Sequence, residues 1–137
     1  MILKNASAMT DWDVAETLAR LPFSGSTDYT IIVRTSGRCI SFGETRFDIG
    51  RIRISLPPPG RFPYYWYANP KHVVRTQREA LLYLAAHELF HIRVVATQVS
   101  TRRHGWQRTL TAEQEEMAAD DYAMRMVVAL RKSRGRR

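Results

Sequence analysis

The chain has 137 residues, of which 45% are hydrophobic and 25% charged, and its formal net charge is +8. This length suits one domain, and the composition excludes a fibrous or wholly disordered protein. The N-terminus is too polar for a secretory leader, and no apolar run reaches the roughly 20 residues that span a bilayer. We therefore expect a cytoplasmic protein with one folded domain over residues 1–130 and no membrane partner.

The first predicted elements are a short helix and a hairpin. Thr10 is a plausible N-cap, and apolar residues follow it at helical spacing until Pro22 ends the pattern. The β-branched stretch Tyr29–Arg34 and the alternating stretch Arg38–Phe42 flank a Ser-Gly turn signal. These two stretches are predicted to pair as a β-hairpin.

A cleaner strand is predicted over Arg51–Leu56, where Ile52 and Ile54 share one face and Arg51 and Arg53 share the other. The proline-rich stretch 57–70 that follows must be a long loop, because proline removes hydrogen-bond donors and restricts the preceding residue. It carries four consecutive aromatic residues. Their rings are predicted either to line a substrate site, with Tyr65 and Trp66 as the candidates, or to cover the core.

Two long helices are predicted in the second half. The first, over about 76–99, is apolar nearly all round and should be buried in the centre of the fold. The second, over about 112–131, begins at a capping box formed by Thr111 and Gln114. Its core-facing stripe at positions 116, 120, 123, 127 and 130 reads Glu, Asp, Ala, Val and Leu. Two carboxylates therefore occupy one end of an otherwise apolar seam.

The buried helix contains the sequence His87-Glu-Leu-Phe-His91. Histidines four residues apart lie on one helical face and can bind the same ion, while Glu88 can contact a water on that ion. The alternative is that both are hydrogen-bonded core residues, but each polar group left unsatisfied there costs on the order of 1–3 kcal/mol. The motif therefore predicts one Zn²⁺ per chain, with Glu88 as general base.

A catalytic zinc site needs a third protein ligand, and Glu116 is the first candidate, at 116 − 91 = 25 positions after the second histidine. Asp120 lies one turn further on the same helical face. It could accept the free N–H of a zinc-bound histidine and fix its tautomer. The alternative for both carboxylates is structural ion pairing on a solvated acidic face, which their place on the apolar stripe argues against.

HELFH followed by a helix bearing Glu116 and Asp120 resembles the gluzincin metallopeptidases, including the HtpX-like and ImmA/IrrE-like families. The resemblance covers mainly residues 79–125. It implies His87, His91 and Glu116 as zinc ligands, Glu88 as base and Asp120 as their support. It also implies an α+β, minimal zincin-like fold, in which a small, mostly antiparallel sheet packs on the HExxH helix and a C-terminal helix carries the third ligand.

His104 is the second candidate for the third ligand, at 104 − 91 = 13 positions after His91, and Gly105 follows it. This arrangement resembles the SprT-like metallopeptidases, a family associated with DNA-bound proteins, although the aromatic residue comes sooner here. If His104 is the third ligand, Glu116 and Asp120 on the last helix have no predicted role in the site. If Glu116 is the ligand, His104 could instead donate a hydrogen bond to the developing oxyanion.

The predicted activity is hydrolysis of a protein or peptide substrate, bound as an extra strand along the exposed edge of the sheet. We expect Arg51–Leu56 to be that edge, so that Arg51 and Arg53 would favour acidic substrates.

Two non-enzymatic alternatives are a nucleic-acid-binding module built on the aromatic loop and a zinc-stabilised interaction protein. A disordered basic tail, predicted over 131–137, would suit weak association with nucleic acid. The oligomeric state is left open.

Overall fold

A computed structural model describes residues 2–22, 29–36, 42–65, 72–102 and 111–134 of the chain. Within these residues the fold is α+β, with a mixed four-stranded sheet, a separate two-stranded sheet and helices. The elements, in chain order, are β1 (Ile2–Ala6), α1 (Asp11–Leu18), β2 (Thr30–Thr35), β3 (Phe42–Arg46), β4 (Arg51–Leu56), a 3₁₀ turn (Pro59–Arg61), β5 (Tyr64–Tyr65), β6 (Val73–Val74), α2 (Gln77–Arg102) and α3 (Ala112–Arg134).

The larger sheet has the order β1-β2-β4-β3. β1 pairs with β2 and β2 with β4 in parallel, and only the pairing of β3 with β4 is antiparallel. The prediction of a mostly antiparallel sheet is therefore wrong. Helix α1 lies between β1 and β2 in the chain. It carries the chain back to the end of the sheet at which β1 begins, so that β2 runs in the same direction as β1.

The predicted hairpin between Tyr29–Arg34 and Arg38–Phe42 is also wrong. β2 pairs with β4, and the hairpin of this sheet is formed by β3 and β4. The turn that joins them ends at Gly50, whose φ of 59° lies in the left-handed region that glycine adopts without strain. Alternation predicts which side chains share a face but not which strands are neighbours, which explains the error. Residues 37–41 lie outside the described part of the chain.

The core lies between one face of the sheet and α2. Ile52 and Ile54 of β4 are 1% exposed, and their partners in register on β2, Ile31 and Val33, are fully buried. The apolar alternation predicted for Arg51–Leu56 is thus confirmed. Helix α2 packs on this face and is itself covered by α1 and α3, so its nearly all-round apolar surface is buried as predicted.

The predicted helix starts are confirmed by their caps. The Thr10 hydroxyl accepts a hydrogen bond from the backbone N–H of Asp13 at 3.1 Å. At the start of α3, the Thr111 hydroxyl accepts from the Gln114 N–H at 3.1 Å, and the Gln114 amide oxygen accepts from the Thr111 N–H at 3.0 Å. The capping box fixes the phase of α3, and with it the face on which the acidic residues lie.

Helix α3 runs antiparallel to α2 and continues beyond the predicted start of the tail. Arg131 lies within the helix and donates two hydrogen bonds to Glu79 Oε1, from Nη2 at 2.6 Å and Nε at 3.1 Å. Its Nη2 also donates to the carbonyl of Val73 at 2.7 Å. Glu79 is 4% exposed, so this ion pair ties α2, α3 and β6 together in the interior. None of the described helices is long and apolar enough to span a membrane.

Candidate metal centre

The two histidines of the motif project from the same face of α2, as their spacing predicts. Their side chains are 16% and 14% exposed, and the Nε2 atoms of His87 and His91 lie 3.0 Å apart. The rings are tilted by 69° with centroids 4.7 Å apart. Both Nε2 atoms therefore face one small volume at the surface of the helix.

Each histidine has its own carboxylate partner on α3. His87 Nδ1 lies 2.8 Å from Asp120 Oδ1, and His91 Nδ1 lies 2.5 Å from Glu115 Oε2. A carboxylate accepts hydrogen bonds, so each Nδ1 is the donor, and this leaves each Nε2 turned towards the other histidine and available to bind a metal ion. Asp120 was predicted in this role from the sequence, whereas Glu115 was not.

Glu116 completes the cluster. Its carboxylate lies 3.3 Å from His87 Nε2 through Oε2 and 2.9 Å from His91 Nε2 through Oε1. These three residues form a group whose ligand atoms all lie within 4.8 Å of one another and could hold a metal ion. Glu116 is 59% exposed, so the cluster is buried on the α2 side and open to solvent on the other.

The donor set fits a zinc ion. With bonds of about 2.0–2.1 Å and tetrahedral angles, two donor atoms of a zinc site lie roughly 3.3 Å apart. The two Nε2 atoms lie 3.0 Å apart, and each has a Glu116 oxygen at a similar separation, Oε2 at 3.3 Å from His87 and Oε1 at 2.9 Å from His91. Without a cation, two imidazole lone pairs and a carboxylate would face one another at these distances. The fit is therefore chemical as well as geometric.

The electrostatics of the cluster also favour a positive charge. Burial disfavours the charged form of His87, but the hydrogen bond to Asp120 and the charges of Glu88, Asp120 and Glu116 outweigh it. The pKa of His87 is therefore raised above its ordinary value. A metal ion in this position would take the place of that proton.

Glu88 lies on α2 next to His87 and turns towards β3. It is 5% exposed, and its Oε2 accepts a hydrogen bond from the Thr45 hydroxyl at 2.5 Å. Gly43 makes this approach possible, because a Cβ atom there would lie 2.9 Å from Glu88 Oε1 and 3.1 Å from its Cγ. The edge of the sheet therefore holds the carboxylate in one orientation.

These residues surround a cavity of about 360 Å³ that opens to solvent. Metal-ligand candidates form one wall and β3 with the turn after it forms the other. The lining consists of Gly43, Glu44, Thr45, Phe47, His87, Glu88, His91, Val95, Glu115 and Glu116.

The predicted substrate edge requires a correction. β4 lies between β2 and β3 and is therefore an interior strand, while β3 is the edge strand next to the cluster. Arg51 and Arg53 alternate with the buried isoleucines and so belong to the sheet face opposite α2. The expectation that Arg51–Leu56 is the exposed edge is therefore wrong, because the neighbour order of the strands could not be deduced from alternation. Contact of Arg51 and Arg53 with a substrate stays a prediction, and neither residue lines the cavity described above.

Three other predicted site residues cannot be placed in the cavity. His104 and Trp66 lie outside the described residues, as does the side chain of Tyr65. The backbone of Tyr65 belongs to β5, which pairs with β6. Its neighbour Tyr64 packs against the hydrophobic core, as does Phe62 before it. For Tyr64, the expectation that the aromatic loop covers the core is therefore confirmed.

Three functional candidates were missed from the sequence. Glu115 could have been found by an argument from antiparallel helices, since the partner of His91 must lie about one turn before the partner of His87, at 115 or 116. Thr45 and Gly43 carry no such signal, because their importance depends on the edge of the sheet meeting α2.

No family model matches the chain, and comparisons with curated proteins and with solved structures find no match.

Proposed function

We propose that this protein is a zinc-dependent metallopeptidase of the minimal zincin type. The observation that carries the proposal is the convergence of His87 Nε2, His91 Nε2 and the Glu116 carboxylate while both Nδ1 atoms are engaged by Asp120 and Glu115. If the two histidines were only hydrogen-bonded residues of the core, they would not need the Glu116 carboxylate beside their Nε2 atoms. Two imidazoles and one carboxylate are the ligand set of many catalytic zinc sites, which leave the fourth position for water.

Zinc held by these three residues would lower the pKa of a bound water to about 7 and polarise a substrate carbonyl. The protein supplies the proton transfers. Glu88 accepts a proton from the attacking water and delivers it to the leaving amine. Thr45 orients this carboxylate by donating a hydrogen bond to Oε2, so that Oε1 is the oxygen that accepts the proton of the water.

The substrate is an extended peptide that adds to β3. Among the described strands β3 is paired on one side only, with β4, so its other side can form main-chain hydrogen bonds with a peptide. β3 contributes Gly43, Glu44 and Thr45 to the cavity wall, so a peptide there would pass beside Glu88. Backbone pairing would set the register and bring one peptide bond to the metal.

The test is Glu88→Gln, which keeps the shape of the side chain but cannot accept the proton. We expect zinc content and the circular dichroism spectrum to match those of the parent, and kcat on a cleaved peptide to fall by about 10²–10⁴-fold. Glu113→Gln is the matched control, because Glu113 is exposed in the first turn of α3. A Glu88→Gln protein that cleaves peptide at the parental rate would refute the role of Glu88.

The same measurements separate the alternatives. A zinc-stabilised interaction protein would bind one equivalent of zinc, yet neither the parent nor Glu88→Gln would cleave any peptide of a broad library. A nucleic-acid-binding module would contain no stoichiometric zinc and would bind single strands with an affinity that falls steeply with salt. The peptidase proposal requires both zinc and cleavage.

A further inference from the structure

One face of the four-stranded sheet points away from α2 and takes no part in the metal centre. The buried isoleucines of β4 point towards α2, so the residues that alternate with them, Arg51 and Arg53, lie on the opposite face. Residues in register on neighbouring strands share a face, which adds Lys4 of β1, Arg34 of β2 and Arg46 of β3. These five residues define the basic sheet face, which has a cation on every strand.

The basic sheet face is accessible to a large partner. Lys4 and Arg34 are exposed, and Arg51 and Arg53 are half-buried. The side chain of Arg46 is 49% exposed. Long basic side chains lay their apolar stems along a surface and keep their charged ends in water. The face therefore presents one ammonium and four guanidinium groups to solvent, and the planar donors of guanidinium match phosphate oxygens in pairs.

The charges on this face are mostly of one sign. Arg46 and Arg51 lie directly opposite each other on β3 and β4, and like charges in that arrangement destabilise a sheet. Glu44 is in register with Arg53. Asp48 pairs with Arg46 at 2.9 Å. With these two carboxylates included, the face keeps a net charge of 5 − 2 = +3, so binding of an anion would offset the remaining repulsion.

The metal centre has the opposite charge. Glu88, Glu115 and Glu116 line its cavity, and the described lining residues include no lysine or arginine. Asp120 adds a fourth carboxylate behind His87. A divalent ion would not outweigh these four negative charges. A polyanion is therefore repelled from the cavity and attracted to the basic sheet face, so the partner of this face is distinct from the molecule that the cavity binds.

We propose that the basic sheet face binds the phosphate backbone of double-stranded nucleic acid without reading its sequence. A duplex carries one phosphate per about 1.7 Å of its axis, twice the charge density of a single strand. Its phosphates form a rigid, regular array, and the cations of the sheet are also held at regular intervals, with about 4.8 Å between neighbouring strands. Binding at this face requires neither zinc nor peptide cleavage.

Other partners fit this face less well. A single strand is usually held on a platform of aromatic rings, and Phe42 is the one aromatic residue at the register positions of this face. A protein partner needs an apolar centre in its interface, whereas the interior strand β4 places Arg51 and Arg53 there. A membrane surface is bound through apolar side chains that enter it, and Ile2, at the corner of the face, is its one large exposed apolar residue among those described.

The experiment measures binding of a short, labelled DNA duplex of mixed sequence by fluorescence anisotropy over a series of salt concentrations. For Arg51→Gln/Arg53→Gln we expect the affinity to fall roughly tenfold or more, and the slope of log affinity against log salt to become less negative by about 1.8, because each phosphate contact contributes about 0.9. Circular dichroism checks the fold. Should the double variant unfold, Lys4→Gln tests the same face from an exposed position, with an expected change in slope of about 0.9.

Arg125→Gln/Lys132→Gln is the matched control, because it removes the same charge from exposed positions on α3 and should bind the duplex as the parent does. Every variant keeps the basic C-terminal tail, so the contribution of the tail cancels. Equal losses in the two double variants would show that net charge alone drives binding and would overturn the inference. Absence of duplex binding in the parent would also overturn it, as would tighter binding to a single strand, to polyglutamate or to phosphatidylserine vesicles.

The outcome is separable from that of the proposed function. Glu88→Gln should bind the duplex as the parent does. Duplex binding that depends on Arg51 and Arg53 in a protein that cleaves no peptide would refute the peptidase and support the basic sheet face as a nucleic-acid site. Peptide cleavage by a protein that binds no duplex would do the opposite.

Discussion

Gly43→Ala is predicted to damage turnover while sparing metal binding. The added Cβ would lie 2.9 Å from Glu88 Oε1, whereas ordinary van der Waals contact begins at 3.4 Å, so the carboxylate must move by 3.4 − 2.9 = 0.5 Å. It cannot relax freely, because Oε2 is held by Thr45 and the side chain is 5% exposed. Since a misplacement of about 1 Å can cost about 10²-fold in rate, half of that should lower kcat/KM roughly tenfold, or about 1.4 kcal/mol.

The assay compares kcat/KM on a cleaved peptide with the zinc dissociation constant and the thermal midpoint. Zinc affinity should stay parental, because the ligands lie on α2 and α3, and stability should change little, because alanine suits a strand at least as well as glycine. Gly60→Ala is the matched control, since nothing lies within 4 Å of a Cβ at Gly60. Parental turnover in Gly43→Ala, or loss of zinc in place of turnover, would refute the placement of the general base.

Three further outcomes are expected. Glu116→Ala should lose zinc affinity by at least about tenfold in a chelator competition while His104→Ala retains it, and the reverse result would favour His104 as the third ligand. Arg131→Met should lower the free energy of unfolding in urea by about 2–4 kcal/mol, because it removes the cation that is paired with the buried Glu79 carboxylate, and an unchanged midpoint would contradict this. In metal-free protein, the raised pKa of His87 means that protonation of this residue stabilises the folded state. This stabilisation is fully present below the ordinary histidine pKa of about 6.5 and is lost as the pH rises through the raised pKa. Denaturation midpoints should therefore fall with pH over that window in chelated protein but not in zinc-saturated protein, and equal slopes would contradict the assignment.

The cluster on the two long helices was largely predictable because helical periodicity is local. Four-residue spacing alone brings His87 and His91 together, and the phase of α3 is fixed by the Thr111 capping box. The apolar stripe then indicates which acidic residues face α2, so Glu116 and Asp120 could be named before the structure. Glu115 was missed because it lies beside this stripe, and it contacts His91 only where the helices cross.

The sheet was predicted less well because strand pairing is not local. Strands with the same alternating pattern can pair in several orders, and the neighbours are chosen by burial against the helices. The short strand β1 was not predicted at all, since its side chains alternate between exposed and half-buried at the edge of the sheet. The order β1-β2-β4-β3 moved the candidate substrate edge from β4 to β3.

The sequence by itself determined the chemistry of the centre, because the identities and spacing of two histidines and a glutamate on one helix limit what that helix can hold. Only the tertiary structure decided what surrounds it. Thr45 and Gly43 lie against Glu88, a residue of another element that their own sequence neighbourhood does not indicate. Their contacts exist because β3 packs against α2, and packing between distant segments depends on the whole chain.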